Sequence, residues 1–198
     1  MEILITARAL CRIRGSLLIL SAVALGVVAM ASGSAGAVPE EPPDEYQVKA
    51  AFLFNFAKLV EWPAELSGAP NGPVTVCILG LDPFGRSLAD TLSGRSIGGR
   101  PLVVRHIANM KQVSGCQILF IGSDENKRSH PLLPELGIPG ILTIGESDAP
   151  DGGGVIINFR LDSGKVRFDI NLDAADHEKL RISSRLLSLA HLVQSNRK

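Results

Sequence analysis

The sequence predicts a single α/β domain with a mostly parallel sheet flanked by helices, followed by a C-terminal β-hairpin and a final helix. Over the middle of the chain, short apolar runs rich in β-branched residues alternate with helical patterns, as in parallel sheets covered by helices. Residues 155–172 instead form two runs separated by a turn, which predicts the hairpin. The length that remains after an N-terminal leader is that of one ordinary domain.

The first 37 residues have the pattern of a cleavable secretory signal. Three arginines precede an apolar stretch over 16–31, and small residues at 35–37 provide a signal peptidase site. The alternative is an uncleaved membrane anchor, but the apolar core of about 14 to 16 residues is shorter than the roughly 20 that span a bilayer. We therefore expect cleavage between Ala37 and Val38 and a periplasmic protein.

Residues 38–44 are acidic and rich in proline, so we expect a disordered leader before a domain over 45–195. Because residues 1–37 contain three Arg and one Glu, the rest of the chain carries a net charge of −2. This balance offers no basic surplus for nucleic acid or anionic lipid, and no second apolar run is long enough to span a membrane. Composition favours protein or small-molecule partners.

The first element of the domain is a helix predicted over 45–61 and ended by Trp62-Pro63, because proline disfavours helical geometry in the preceding residue. Residues 50–60 contain two polar positions, whereas a surface helix has polar residues over about half its circumference. The helix therefore either packs between the sheet and the last helix, or presents one side to another protein. The candidate partner-binding residues on it are Phe52, Phe56 and Leu59.

The middle of the chain alternates strands with helical or turn segments. Asp82-Pro83 is expected to start a helix that extends to about Leu92, with the aspartate as N-cap. A helical turn is expected at 111–113, and a poor helix interrupted by prolines over 125–136. The four predicted strands are 74–79, 101–107, 117–121 and 140–144.

The C-terminal third predicts a hairpin and then a long helix. Strands over 155–160 and 165–172 flank the turn at 162–164, and the second strand alternates strictly between apolar and polar residues. Asp173 is expected to cap a final helix that extends to about Gln194. The predicted apolar stripe of that helix consists of Ile182, Leu186, Leu189 and Val193.

Only Cys77 and Cys116 remain after removal of the leader. In an oxidising compartment an even pair of cysteines favours a disulfide. A redox-active pair and a metal site are the alternatives, but the two cysteines are far apart and neither has a Cys or His close by in sequence. We expect a structural disulfide that closes a loop of about 40 residues.

No motif in the chain indicates catalysis. The glycines at 152–154 lead into a strand instead of a helix N-terminus, so they do not fit a phosphate loop. The four histidines lack the spacing of a zinc motif, and no serine lies in a nucleophile elbow. We therefore expect no enzymatic activity, no cofactor and no metal ion.

Polar residues near the C-terminus form a second candidate site. Arg167, Asp169 and Asn171 share the polar face of the second hairpin strand, and Arg181 and Arg185 lie one turn apart on the predicted final helix. These residues form either a solvated strand face with one cross-strand ion pair, or a small polar pocket beside the hairpin. On the second interpretation the strand residues contact a partner and the two helix arginines hold a small ligand.

Several segments resemble the YfiR/HmsC-like family of periplasmic regulatory proteins. The first is the helix motif over 48–58 with Glu61-Trp62-Pro63. The others are 141–144 with 153–159, then 166–172, and finally 180–187. The resemblance extends from about Tyr46 to Val193.

The resemblance implies a compact α/β fold with a mostly parallel sheet. It also implies a periplasmic repressor that binds the periplasmic domain of an inner-membrane diguanylate cyclase and holds it inactive, which limits cyclic di-GMP and biofilm formation. A homodimer and a disulfide between Cys77 and Cys116 are further implications. The family commonly has Glu where this chain has Asp169, and Arg181 matches a position linked to ligand or partner binding.

The leading hypothesis is a non-enzymatic repressor whose partner surfaces are the first helix and the polar strand row. The alternative is a periplasmic small-molecule sensor that acts with a different membrane sensor and holds its ligand near Arg181 and the hairpin. The two hypotheses differ in whether a metabolite alone stabilises the protein against unfolding.

Overall fold

The computed structural model describes residues 44–63, 72–125, 139–148 and 154–193. The predicted signal, nearly all of the predicted leader and most of the helix predicted over 125–136 lie outside these ranges. None of the described helices has the length and apolar character needed to cross a bilayer. In chain order the elements are α1 (Glu45–Leu59), β1 (Val60–Glu61), β2 (Val74–Leu79), α2 (Arg86–Leu92), β3 (Ser96–Ile97), β4 (Arg100–Ile107), a 3-10 turn (Met110–Gln112), β5 (Ile118–Ile121), β6 (Leu142–Glu146), β7 (Ile157–Asp162), β8 (Lys165–Asn171), α3 (Leu172–His177), β9 (Arg181–Ile182), α4 (Ser184–Leu187) and β10 (His191–Val193).

The main sheet has eight strands in the order β10-β8-β7-β6-β5-β2-β4-β3. The five strands from β7 to β4 in this order are parallel to one another. The antiparallel pairs are β7 with β8 and β3 with β4, and β10 is parallel to β8. The predicted α/β class with a mostly parallel sheet is confirmed.

The sheet has a hydrophobic cluster on each face, and β2 contributes to both. Val76 and Ile78 belong to the larger cluster, which includes the inner residues of α1 and α2. Cys77 and Leu79 belong to the smaller cluster, which includes Val113 from the segment before β5. Because all six residues of β2 are buried, the strand reads in sequence as a continuous apolar run.

Helix α1 ends two residues earlier than predicted. Val60 and Glu61 form β1, which pairs with β9 in a separate two-stranded antiparallel sheet. Immediately after β1, the indole Nε1 of Trp62 donates to the carbonyl of Gly140 at 2.8 Å. At the other end of α1, the Gln47 side chain accepts from the backbone N–H of Asp44 at 3.2 Å, so Asp44 belongs to the helix start instead of the leader.

Helix α2 begins four residues later than Asp82, where the sequence placed its N-cap. Asp82 Oδ1 instead accepts from the backbone N–H of Phe84 at 2.8 Å and forms a local turn. Phe84 is buried against Tyr46 and Phe120. Gly85, which precedes the helix, has a positive φ of 54°, and this interrupts a helix that would run through it.

The predicted hairpin is present as β7 and β8, with shifted ends. Ser163 and Gly164 join the strands with φ values of 51° and 75°, and positive φ at both central residues is characteristic of a type I′ turn. The four strands predicted in the middle of the chain are also present, within two residues of their expected ends. A second, shorter hairpin of β3 and β4 was not predicted.

The long final helix predicted from Asp173 to Gln194 is wrong. Asn171, not Asp173, caps the short helix α3 through its side chain, which accepts from Ala174 N–H at 3.0 Å. Lys179 then adopts a positive φ of 59°, which ends the helical path. The predicted stripe is divided: Ile182 lies in β9, Leu186 in α4, Leu189 in an exposed turn and Val193 in β10.

The predicted disulfide between Cys77 and Cys116 is confirmed. Their Cα atoms are 5.8 Å apart, within the usual range, and the bridge links residues 39 positions apart. Arg105 lies beside it, with Nη2 at 3.0 Å from Cys116 Sγ and donating to the carbonyl of Ser114 at 2.7 Å. The bridge therefore fixes the segment before β5 to the central strand β2.

Replacing both Cys77 and Cys116 by serine should lower the free energy of unfolding by about 4 kcal/mol, because the unfolded chain regains the freedom of a long loop. Urea denaturation of the oxidised wild type and the double variant measures this. Wild-type protein treated with a dithiol reductant should unfold at the midpoint of the variant. An unchanged midpoint in both cases would show that the bridge contributes nothing to stability.

Candidate partner-binding site

The predicted polar row on β8 is mostly buried. Arg167 is exposed, but Asp169 and Asn171 are only 5% and 2% exposed. The row lies on the face of the hairpin opposite Phe159 and Phe168, which pair with each other on the side of α1. Of the three residues, only Arg167 is available for direct contact with a partner.

Asp169 is the centre of a charged cluster that joins three strands. Arg160 Nε on β7 donates to Asp169 Oδ1 at 2.9 Å and lies 2.8 Å from Asp169 Oδ2. His191 Nδ1 on β10 lies 3.2 Å from Asp169 Oδ1, and the two residues are register partners. The buried carboxylate therefore orients an exposed arginine and links the edge strand to the sheet. The alternating pattern of β8 indicated Asp169 as a candidate residue but neither of its partners.

The first helix contributes mainly to the protein's own core. The ring centroids of Phe52 and Phe56 lie within 5.0–6.2 Å of the rings of Phe159 and Phe168. Phe56 has no exposed surface, whereas Phe52 and Leu59 are half-buried against the core. A partner can therefore reach the predicted helix surface only through Phe52 and Leu59.

The two candidate ligand-binding arginines are not on one helix. Arg181 lies in β9, where it is the register partner of Glu61, and Arg185 lies in α4 after the cap Ser183. Both arginines are exposed, and neither has an ion pair with any residue that the structure describes. The predicted spacing of one helical turn is wrong because β9 is held against β1 in an extended conformation.

Three exposed apolar residues lie near the C-terminal edge of the sheet, whereas Leu81, which is 78% exposed, follows β2. Leu161 is 57% exposed and lies opposite the half-buried Val166 in the hairpin. Leu189 and Leu192 are 65% and 50% exposed, and Leu192 lies on β10 at the edge of the main sheet. Exposed apolar residues beside an edge strand are a common feature of protein–protein contact surfaces.

A buried ion-pair network at the carboxyl end of β6 was not predicted. Lys49, which is 4% exposed, donates to Glu146 at 2.6 Å and also to Glu45 in its own helix. The hydroxyl of Tyr46 donates to Glu146 at 3.2 Å, and the Lys49 ammonium lies 4.5 Å from the centre of the Tyr46 ring. These contacts attach the start of α1 to the sheet.

Burial of Tyr46, together with the negative charge of Glu146 and the hydrogen bond to it, raises the pKa of the Tyr46 hydroxyl to about 12. The deprotonated form of Tyr46 would place a second negative charge beside Glu146. The network therefore stabilises the protonated, neutral hydroxyl of Tyr46 beside the Glu146 carboxylate.

The carboxyl end of the central strands is where open α/β sheets most often bind ligands. In this protein the strand order changes direction beside β2, because β4 lies on one side of it and β5 on the other. The loop after β2 folds back there and buries Phe84 at 4.7 Å from the ring of Phe120. His106 Nε2 lies 2.9 Å from Asp82 Oδ2 in the same region. Among the described residues, no group of three or more His, Cys, Asp or Glu side chains is arranged to hold a metal ion.

Replacing Lys49 by Met should lower the free energy of unfolding by about 3 kcal/mol, because Glu146 loses a buried cationic partner. Replacing the exposed Lys58 of the same helix should cost less than about 1 kcal/mol. Chemical denaturation compares the variants. Adding Glu146→Gln to Lys49→Met should recover part of the loss, and a double variant as unstable as the sum of the two singles would contradict a direct pairing.

Tyr46 is the only tyrosine in the chain, so its ionisation can be followed by tyrosinate absorbance. After a rapid pH jump, folded protein should titrate near pH 12, and Glu146→Gln should lower this midpoint. Since the folded pKa exceeds that of the unfolded chain, this contribution to stability is complete below about pH 10 and is lost as the pH rises towards 12. A midpoint near 10 in the folded state would refute the burial argument.

Similarity to known proteins extends over most of the described domain. A crystal structure of a conserved domain protein from Vibrio cholerae O1 biovar El Tor is 11% identical to this chain with a TM-score of 0.46, and the alignment covers 76% of this chain and 60% of that one. The chain therefore matches less than two thirds of that protein's length. Residues 46–191 match the YfiR/HmsC-like family. The chain belongs to the YfiR/HmsC-like family.

Proposed function

We propose that this protein is a non-enzymatic periplasmic regulator that binds the periplasmic domain of an inner-membrane diguanylate cyclase and represses it. The observation that carries the proposal is the match of residues 46–191 to the YfiR/HmsC-like family, since resemblance to this family implies a repressor of this kind. Repression would limit cyclic di-GMP and, through it, biofilm formation.

The proposed compartment has two lines of support. The first 37 residues have the pattern of a secretory signal with a cleavage site between Ala37 and Val38. The disulfide between Cys77 and Cys116 fits an oxidising compartment, since such bridges are rare in the cytosol. Both agree with a regulator that meets the extracytoplasmic part of a membrane protein.

The proposed partner surface is the C-terminal edge of the domain. It includes the exposed Arg167 on one face of the hairpin, the exposed leucines 161 and 192 on the opposite face, and Leu189 in the turn before β10. The buried Asp169 contacts Arg160 and His191 and holds both side chains in place next to this surface. The exposed parts of Phe52 and Leu59 form a second contact region on α1. A mixture of apolar area and an arginine is typical of the central part of protein interfaces.

Repression requires that the regulator bind the inactive conformation of the cyclase more tightly than the active one. A regulator with equal affinity for both conformations would not change the activity, however tightly it bound. The interface must therefore include contacts that form with the inactive conformation of the cyclase and not with the active one. We further propose that the protein acts as a homodimer, as the family resemblance implies.

An Arg167→Glu variant should fail to repress the cyclase, because it reverses the charge of the exposed arginine in the proposed surface without removing a buried group. In cells that lack the wild-type gene, this variant should leave cyclic di-GMP at the raised level of the deletion. Arg86→Glu, an exposed exchange on α2 away from the hairpin, should restore repression. We prefer Arg167 to Asp169 for this test, because Asp169→Lys also breaks buried ion pairs.

Crosslinking in intact cells, followed by purification of this protein, should recover an inner-membrane cyclase with the wild type and Arg86→Glu but not with Arg167→Glu. If deletion of the gene leaves cyclic di-GMP unchanged, the cyclase proposal fails. If deletion raises it while Arg167→Glu represses normally, the target is supported and the surface is placed incorrectly.

A further inference from the structure

Two arginines face each other across the hairpin. Arg160 on β7 and Arg167 on β8 are register partners on the same side of the sheet, and both are exposed. Directly opposite residues of antiparallel strands have Cα atoms about 4.5 to 5.5 Å apart. Like charges at such positions destabilise a sheet. The arrangement therefore has an electrostatic cost that an anion between the two guanidinium groups would relieve.

One of the two arginines is already held in place. The Nε of Arg160 donates to Oδ1 of the buried Asp169 at 2.9 Å and lies 2.8 Å from Oδ2 of the same carboxylate. Neither terminal nitrogen of Arg160 has a protein acceptor among the described residues. The Arg160 side chain remains 43% exposed. Asp169 thus orients the guanidinium from one side and leaves its terminal N–H groups directed to the solvent.

The other arginine has no partner in the described part of the chain. Arg167 forms no ion pair and no hydrogen bond there, although its guanidinium has five N–H donors. The single negative charge of Asp169 is shared between Arg160 and His191. Lys165, in the next row of the hairpin, lies opposite Asp162, so the charges in that row compensate each other. The row of Arg160 and Arg167 carries an excess of positive charge.

We propose that Arg160 and Arg167 form a binding site for a small oxyanion, either a carboxylate or a phosphate group. The planar fork of a guanidinium matches the oxygens of both groups and binds them through paired hydrogen bonds. Asp169 acts in this site as a positioning residue for Arg160, and His191 adds a further positive charge when it is protonated. The shared chemistry is an anion with at least two oxygens.

The anion site has a regulatory consequence that rests on the proposed function. Arg167 is also part of the surface proposed for the cyclase. An anion between the two arginines would occupy this surface and neutralise the charge that the partner meets. Binding of the anion and binding of the partner would then exclude each other, so that a periplasmic metabolite with an acidic group would release repression.

The test is an NMR titration of the ¹⁵N-labelled protein purified from cells that express the full chain. Inorganic phosphate, methyl phosphate and acetate are added separately, with chloride holding the ionic strength constant. Saturable shifts confined to the hairpin amides around 160 and 167 are expected with at least one of the three, and the responsive probe distinguishes phosphate from carboxylate. Arg167→Gln should weaken this binding about tenfold or more, since one charged hydrogen-bond partner is lost.

Arg86→Gln, on α2, should leave the titration unchanged, and Asp169→Asn should weaken binding while Arg160 remains present. Identical saturation in wild type and Arg167→Gln, or shifts that rise linearly with every salt, would overturn the proposal. The spectrum of each variant before titration reports its folding. Because the titration contains no partner, its failure leaves the cyclase proposal intact, and a functional anion site without any effect on cyclic di-GMP would refute only the regulatory consequence.

Discussion

The burial of the first helix against the last hairpin is the constraint on which the rest of the structure depends. The rings of Phe52 and Phe56 pack onto those of Phe159 and Phe168, so opposite ends of the domain share one hydrophobic cluster. Removing such large apolar groups from water is the main favourable term for a domain of this size. The same packing fixes the orientation of the hairpin, because its apolar face must meet α1. The opposite face is thereby left to Asp169 and its arginine partner.

Charged residues are arranged differently at the carboxyl end of β6 and at the hairpin of β7 and β8. At the carboxyl end of β6, the ammonium of Lys49 contacts the carboxylates of Glu45 and Glu146, so each of these charged groups has a partner within the protein. At the hairpin, the carboxylate of Asp169 pairs with Arg160 and His191, and Arg167 has no ion pair among the described residues. A compensated buried cluster serves the fold, whereas an uncompensated exposed one is available to something outside it. This difference explains why the hairpin surface, and not the crevice at the centre of the sheet, is the stronger candidate for recognition.

The sequence predicted those features that depend on neighbouring residues. The continuous apolar run of β2 identified a strand buried on both faces, and the turn at Ser163 and Gly164 identified the hairpin. The prediction of a long final helix was wrong for the opposite reason. Its apolar residues recur with helical spacing, but pairing of β9 with β1 and of β10 with β8 supplies backbone hydrogen bonds that a helix would forgo. Likewise Lys49 and Glu146 are 97 positions apart, and nothing local indicates their contact. Part of the site could be predicted from the sequence. Once the turn at Ser163 and Gly164 is placed, counting residues back from it along both strands puts Arg160 opposite Arg167.

The sharing of one cluster by the two ends of the chain also determines when the domain can form. Helix α1 is made first, yet the rings that cover Phe56 lie more than a hundred residues later in the chain. Closing so long a loop has a high entropic cost, and a high mean sequence separation of contacts slows folding. Until β7 and β8 emerge, Phe52 and Phe56 lack the two rings that cover them in the folded domain, and apolar surface exposed in this way promotes aggregation. A chain with this topology completes its core only after the hairpin is available, and such a delay is compatible with the export proposed above.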